Sequence, residues 1–262
     1  MASIRAYERF PTGMNSSFKM TRSFALLAIV LLAGTALAGC ETTTNPESLA
    51  QNDPYEPTNR KIFALNEDLD KHVMRPVAVF YNDTVPDQIR DRFHYMLANM
   101  DEPVTFANDV LQGEPVRATQ TLGRITFNTT LGIGGMFDIA TKMGIPPHDE
   151  DFGQTLGVWG SGEGPYWVVP FVGPSPPRDS AGRVVDIFLD PFTYIRFDGF
   201  HTLAYARAGM GVLDLRARNV DTLDQIERTS VDYYATQRSL YRQYRNNEIH
   251  NGAADTTDLP NL

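Results

Sequence analysis

Residues Asp151 to Ser175 read DFGQTLGVWGSGEGPYWVVPFVGPS: six glycines and five large aromatics set among prolines, with Asp151 and Glu163 the only charged groups. Glycine and proline interrupt helices and strands alike. Trp159, Tyr166, Trp167, Phe171 and the pair Val168-Val169 are side chains that ordinarily leave water. The composition predicts an ordered loop that requires burial. The fold turns on what covers it: the protein's own core, a catalytic pocket or a membrane.

On either side of this stretch the dominant pattern is helical. Ile62, Leu65, Leu69 and Val73 recur at spacings of three and four on a helix expected from Thr58 to Met74, with Pro76 as its stop. Pro86 opens a second segment with Ile89, Phe93, Leu97 and Met100 on one face. Asp101 caps a third, with Pro103 in its first turn and Val104, Ala107 and Leu111 as its stripe. A fourth runs from Glu114 to Asn128. Arg178 to Leu189 and Leu203 to Arg218 are helical by pattern, and Ser230 is positioned to cap a last helix, Val231 to Glu248. Repeated strict alternation is missing, which argues against an outer-membrane barrel. No apolar run of 18 residues follows the first 40, so a conventional spanning helix is not expected. The chain is thus expected to be mainly α, a single domain of amphipathic helices, with two glycine-rich connections: the opening stretch and Thr130 to Ala140, TLGIGGMFDIA.

The N-terminal end has a different character. Residues 20–40, MTRSFALLAIVLLAGTALAGC, combine a basic start, an apolar run from Phe24 to Leu32 and small residues before Cys40, the composition of a secretory signal. Leu37-Ala38-Gly39-Cys40 resembles the lipobox of bacterial lipoproteins, and Cys40 is the single cysteine, so no intramolecular disulfide competes for it. The expected organisation is a signal over 1–39, with translation starting at Met20, a lipidated tether over 40–52, a helical domain over 53–249 and a flexible tail over 250–262. Glu41 rather than Asp follows the cysteine, which favours outer-membrane sorting. Losing 1–39 removes four cations and one carboxylate, taking the net charge from −9 to −12. Such a chain is a poor partner for nucleic acid or anionic lipid headgroups. Membrane contact beyond an acyl anchor must therefore be apolar.

The residues offer little to an enzyme. Gly132, Gly134 and Gly135 begin a dinucleotide-like loop, but the third glycine of GxGxxG would fall at Phe137. Asp151-Phe152-Gly153 spells the kinase triplet with no HRD loop before it. Ser161 and Ser175 lack GxSxG spacing. The five histidines are scattered, and no cofactor or metal is expected. His148-Asp149-Glu150-Asp151 could attract calcium through carboxylates but lacks EF-hand spacing, and a solvated acidic loop explains it more simply. On the last helix Tyr234, Tyr241 and Tyr244 share a face beside a stripe of Arg238, Arg242 and Arg245. The stripe admits two readings: contact with a phosphate headgroup or an acidic partner, or an amphipathic helix with inward tyrosines and solvated arginines.

A longer pattern runs through the chain. It begins with Asp53-Pro54-Tyr55-Glu56, Asn59-Arg60, Asn66, Arg75-Pro76-Val77, Asp101-Glu102-Pro103 and Leu111-Gln112-Gly113. It continues with Arg124, Phe127-Asn128-Thr129, Gly132-Ile133-Gly134-Gly135, Asp138 and Phe152-Gly153-Gln154-Thr155-Leu156-Gly157. Gly164-Pro165-Tyr166, Pro170-Phe171, Gly173, Arg178-Asp179 and Gly182 complete it. In order and number these resemble the MlaA (VacJ) family of outer-membrane lipoproteins, from Asp53 to about Arg245. One departure is Ser230-Val231-Asp232-Tyr233-Tyr234, where the family pattern has Asp-Pro-Tyr.

The resemblance implies a helical, ring-shaped protein embedded mainly in the inner leaflet of the outer membrane, with a central amphipathic channel. It further implies association with a trimeric porin and delivery of phospholipid to the soluble periplasmic carrier MlaC, which keeps phospholipid out of the outer leaflet. No bond is made or broken. Helices lying in one leaflet need only an apolar outer face, and bare backbone at membrane depth is tolerated where protein or a water-filled cavity satisfies it. On that reading Gly132, Gly134, Gly135, Trp159, Gly160, Gly162 and Gly164 shape the channel, and Tyr166, Trp167 and Phe171 form an interfacial aromatic belt; for the glycines of Thr130 to Ala140 a tight turn between packed helices is the equal alternative. The rival expectation is a scaffold lipoprotein that binds a partner through its Arg/Tyr helix without a lipid path. A phospholipase would need a nucleophile and base that the sequence does not offer.

Overall fold

The computed structural model describes residues 42–195 and 200–252. The expected signal, Cys40 and most of the expected tail lie outside them. The described chain is helical: α1 (Pro46–Ala50), α2 (Glu56–Leu69), α3 (Arg75–Thr84), α4 (Asp87–Gln112), α5 (Pro115–Thr130), α6 (Ile139–Lys142), α7 (Phe152–Val158), α8 (Pro177–Leu189), α9 (Phe200–Arg218), α10 (Val220–Thr229) and α11 (Tyr233–Ile249). One antiparallel pair, β1 (Val168–Val169) with β2 (Gly173–Pro174), is its sheet structure. Among the described residues, no helix is long and apolar enough to cross a membrane.

Three boundaries differ from the sequence expectation. Pro76 does not stop its helix: α2 runs through a π-helical turn, Asp70–Met74, directly into α3, whose first turn holds the proline. A proline lacks the N–H that an ordinary turn would use, and the wider π turn absorbs that loss. Pro103 likewise lies inside one 26-residue helix, α4, so the two expected helices are one. Asp232, not Ser230, caps α11, its carboxylate accepting from the Ala235 N–H at 3.1 Å. The opening stretch is only partly loop. Asp151 caps α7 through the Gln154 N–H at 2.8 Å, and the remainder forms a turn and the small hairpin.

The packing is inverted in polarity. α4 packs on α5, α7 on α8, and α9 on both α3 and α4, yet much of what these contacts cover is polar. Asp53 is fully buried, accepting from Asn59 Nδ2 at 2.8 Å, Tyr234 Oη at 2.5 Å and Arg238 Nη1 at 2.7 Å. Asn59 also accepts from the Val168 N–H at 2.9 Å and donates to the Tyr166 carbonyl at 3.0 Å. One knot thus ties the start of the domain, α2, the aromatic stretch and α11. In a second, Arg245 bridges Asp151 (2.6 Å) and Asp179 (3.0 Å), and Tyr241 donates to Asp179 at 2.5 Å. Burial alone would raise both carboxyls, but their partners hold Asp151 and Asp179 below the usual carboxylate range. In a third, Arg124 pairs with Glu102 at 2.6 Å and donates to the Ile145 carbonyl at 3.0 Å. Apolar burial is sparse: two small clusters, Ala78–Tyr81–Ala217–Val220 and Tyr166–Val168–Tyr234, with Leu97, Ala118 and Ala140 buried outside them.

The outside carries what the inside lacks. Phe80, Val116, Leu131, Ile133, Phe171, Phe188, Tyr205 and Leu215 are each more than 60% exposed. Isolated exposed apolar residues are ordinary in a water-soluble protein, but a polar interior beneath so many is not.

Candidate functional site

Helices α4, α8 and α9 and the 3-10 turn Pro191–Thr193 enclose two adjoining cavities of about 630 and 460 Å3, within the range of ligand sites. The larger is apolar, lined by Leu97 and Met100 of α4, Phe192 and Ile195, and Leu203, Ala204, Ala208, Gly211 and Val212 of α9. The smaller is charged, lined by Asp149, Glu150, Arg183 and Asp186 with Thr105. They share four lining residues, Asp101, Asp190, Thr193 and Arg207, so an apolar compartment opens onto a charged one through a ring of ionic groups. At that neck Arg207 donates to Asp190 Oδ2 at 2.7 Å, to the Met100 carbonyl at 3.1 Å and to Asp101, with its guanidinium 4.9 Å from the centre of the Phe192 ring.

The local sequence explains the space. On α9 the small residues Ala204, Ala208 and Gly211 fall at spacings of four and three, which places them on one face. No atom lies within 4 Å of where a Cβ on Gly211 would stand. Asp186 on α8 accepts from Asn108 Nδ2 at 3.1 Å and from the Phe152 N–H at 3.0 Å, yet burial pushes its carboxyl up to about 6. The charged compartment therefore holds an acid that titrates near neutrality.

None of the seven residues expected to shape a channel lines either cavity. Gly132 and Gly135 serve close packing instead: a Cβ on Gly132 would stand 2.2 Å from the Phe137 carbonyl oxygen, and one on Gly135 2.5 Å from Asn99 Cβ. Gly134, Gly160 and Gly162 face open space, and Gly164 abuts Pro177. Trp159 is half exposed, its indole N–H donating to the Leu111 carbonyl at 3.1 Å. Of the expected aromatic belt, Phe171 is exposed, Trp167 is partly covered and bonded to Ser180 at 3.3 Å, and Tyr166 is buried beside Tyr234 and Tyr241. Tyr166 is core because the Asn59 and Asn52 bonds draw its backbone inside.

On α11 the amphipathic reading holds for Tyr234 and Tyr241, which turn inward, but its arginines are not solvated. Arg238 and Arg245 are buried in the ion pairs described above, and Arg242 pairs with Glu163 at 2.8 Å and with the Gln51 carbonyl. They fasten α11 to the rest of the domain and are not presented to an outside headgroup or partner. Arg207, Asp190 and Arg183 were not singled out from the sequence, and Asp101 was read there as a helix cap and as part of the family pattern. The signal that could have found them is a lone arginine embedded in the small-residue face of α9.

Residues 51–248 match the profile of the MlaA lipoprotein family. The chain belongs to the MlaA lipoprotein family. It is 33% identical over 233 residues to the Escherichia coli intermembrane phospholipid transport system lipoprotein MlaA, covering 86% of this chain and 89% of that one. The Haemophilus influenzae protein of the same name is 32% identical over 227 residues, covering 85% and 89%. An uncharacterised Rickettsia bellii protein is 37% identical over 194 residues, covering 74% and 75%. In three dimensions this MlaA-family domain is similar to a solved structure described as the structural basis for maintenance of bacterial outer membrane lipid asymmetry. The TM-score is 0.68 at 31% identity, with 75% of this chain and 98% of that one covered.

Proposed function

We propose that this MlaA-family chain is an outer-membrane lipoprotein that removes phospholipid from the outer leaflet and passes it to a soluble periplasmic carrier, maintaining lipid asymmetry. The observation that carries the reading is the apolar cavity that opens onto a charged one at Arg207. A phospholipid has the same division, and the two compartments would receive its acyl and headgroup ends. The family membership and the names of its relatives support the same class of activity.

The inverted polarity supports a lipid setting. Apolar side chains outside and ion pairs inside suit a body lying in one leaflet, anchored through an acylated Cys40 after removal of 1–39; the expected tether 40–52 is short, since the chain is bonded to the domain from the Thr43 N–H onward and α1 packs with Ser48 buried. The glycine turn after α5 illustrates this. Ile133 sits at φ +54°, a conformation costly for a β-branched residue, and is 66% exposed. Water gives no reason to keep isoleucine there, whereas hydrocarbon does. Embedding in the inner leaflet beside a trimeric porin, with MlaC as the carrier, completes the proposal. No bond need be made: His148 touches Asp109 and Thr121 through the same Nε2, at 3.1 Å each, an arrangement that bridges two groups but cannot relay a proton between them.

The experiment is surface-exposed phospholipid in cells lacking the gene, with the intact gene restored or with Arg207→Glu. Restoration by the intact copy and failure by a stably produced Arg207→Glu support the path; normal clearance by Arg207→Glu refutes the neck.

A further inference from the structure

Further along α9 lies a second pair of adjoining hollows, which meets the first at Val212. One, of about 360 Å3, is apolar, walled by Met74, Val212, Leu215 and Leu223. Its neighbour, of about 310 Å3, is lined by Phe63, Tyr233 and Phe171 together with Glu67, Asp70 and Glu227. The two share Asp70, Met74, Arg216 and Leu223. The π turn is what makes the junction, since it carries both Asp70 and Met74.

Arg216 stands between the compartments with its side chain only 10% exposed. Its Nε and Nη2 donate to Asp70 at 2.7 and 2.8 Å, while Nη1 is buried with no hydrogen-bond partner. A buried guanidinium nitrogen without an acceptor costs free energy unless something supplies one. The rim of the neighbouring hollow has the opposite demand. Glu67 and Glu227 share a single cation, Lys71, at 2.9 and 2.8 Å. Around Arg216 the balance is reversed, Asp70 and Asp224 facing Arg216, Arg75 and Arg228, so the one carboxylate charge beyond Lys71 is local to the Glu67–Glu227 rim. Beside it Phe63 and Tyr233 meet edge to face with centroids 5.4 Å apart, and the exposed Phe171 forms a third aromatic wall. Aromatic faces with a surplus carboxylate are the chemistry that receives an ammonium group.

We propose that this groove is a second phospholipid site, sharing only the wall residue Val212 with the cavity pair at Arg207, and that it selects a zwitterionic headgroup of the phosphoethanolamine type. The phosphate meets Arg216, the ammonium lies among Glu67, Glu227 and the aromatic walls, and an acyl chain follows Met74, Leu215 and Leu223. The inference rests on the reading that the chain handles phospholipid and adds which headgroup it retains. A phosphatidylglycerol headgroup would satisfy Arg216 but leave the carboxylate surplus uncompensated.

The test uses the full lipidated chain carrying Gly211→Trp, which narrows the other cavity, equilibrated in detergent micelles with equal amounts of phosphatidylethanolamine and phosphatidylglycerol. Co-purified lipid is then quantified by mass spectrometry. The expected result is a preference for the ethanolamine lipid of roughly threefold or more, abolished by Glu67→Gln with Glu227→Gln at an unchanged unfolding midpoint. Equal retention of both lipids, a preference that survives the double substitution, or no retained lipid overturns the proposal. Displacement of the lipid by free phosphoethanolamine is expected. Binding of a lysine-rich peptide without lipid retention would instead assign the groove to a protein partner and overturn it. Because the double substitution is made on the Gly211→Trp background, the change it causes reads this groove and not the path at Arg207. That path stands or falls on clearance of surface phospholipid in cells.

Discussion

Two parts of this molecule solve opposite problems. Around α11, charged groups are buried and every chain segment is tied by ion pairs: Asp53 with Arg238, and Asp151 and Asp179 with Arg245. Around α4, α8 and α9, the same kinds of residue line open space and apolar side chains face outward. The first region fixes the fold by geometry-demanding contacts that tolerate no missing partner. The second keeps room empty and a surface greasy, which contributes nothing to stability in water. The difference shows where function can lie: the ion-paired side chains hold the chain together, and room for cargo lies where side chains leave it, including beside Tyr233 at the start of α11.

The sharpest way to break the comparison is to remove one partner from the tied region. Arg245→Met leaves Asp151 and Asp179 without their common cation and is expected to destabilise the protein by about 3–5 kcal/mol, read as a shifted denaturant midpoint in detergent. A loss below about 1 kcal/mol would show that the ion pairs are ornaments of a fold held otherwise. Next in size is the helix crossing that brings Asp151 and Asp179 together. A Cβ on Gly182 would stand 2.3 Å from the Gly153 nitrogen. Gly182→Ala is therefore expected to cost roughly 1–3 kcal/mol by the same measurement.

Much of the tied region was legible in the sequence, and for a definite reason. Asp53, Asn59, Arg124, Asp179 and Gly182 fall in the motifs that carried the family resemblance, and helices with a clean apolar stripe, such as α8, declared their boundaries. What was not legible has physical causes too. Pro76 and Pro103 read as breaks because a proline removes one hydrogen bond, but a π turn or a well-packed long helix absorbs that loss. The arginines of α11 read as a surface stripe because spacing reveals a face and not what covers it. The cavity escaped notice because a hollow is made by small residues, and Ala204, Ala208 and Gly211 carry no chemical signature of their own.

A smaller effect sharpens the contrast at the turn after α5. Ile133→Asn removes a β-branched residue from φ +54° and is expected to raise stability in detergent by up to about 1 kcal/mol while weakening association with lipid vesicles. Loss of stability instead would mean that Ile133 is held by contacts within the protein. Smallest of all is a pH term. The Asp186 carboxyl sits near 6 in the folded chain against an ordinary value of 3.8, so between those values the folded state holds a proton that the unfolded state has lost. Its contribution to stability is present below about 3.8 and declines as pH rises through about 6. Asp151 and Asp179, held low, act in the opposite sense and only below 3.8. Asp186→Asn is expected to flatten the unfolding free energy across pH 4 to 6, and an unchanged profile would place the titration elsewhere.

The central claim is that lipid travels through the hollow beside α9 and not past the glycine turns. Its direct test is phospholipid exposed at the cell surface in a deletion strain carrying either Gly211→Trp or Gly162→Trp, both at positions where an added Cβ meets no atom within 4 Å. The account predicts that Gly211→Trp, which narrows the cavity, leaves phospholipid at the surface as the deletion does, while Gly162→Trp restores clearance. Normal clearance with Gly211→Trp and failure with Gly162→Trp, both proteins being equally abundant, would contradict it and return the path to the glycine-rich stretch.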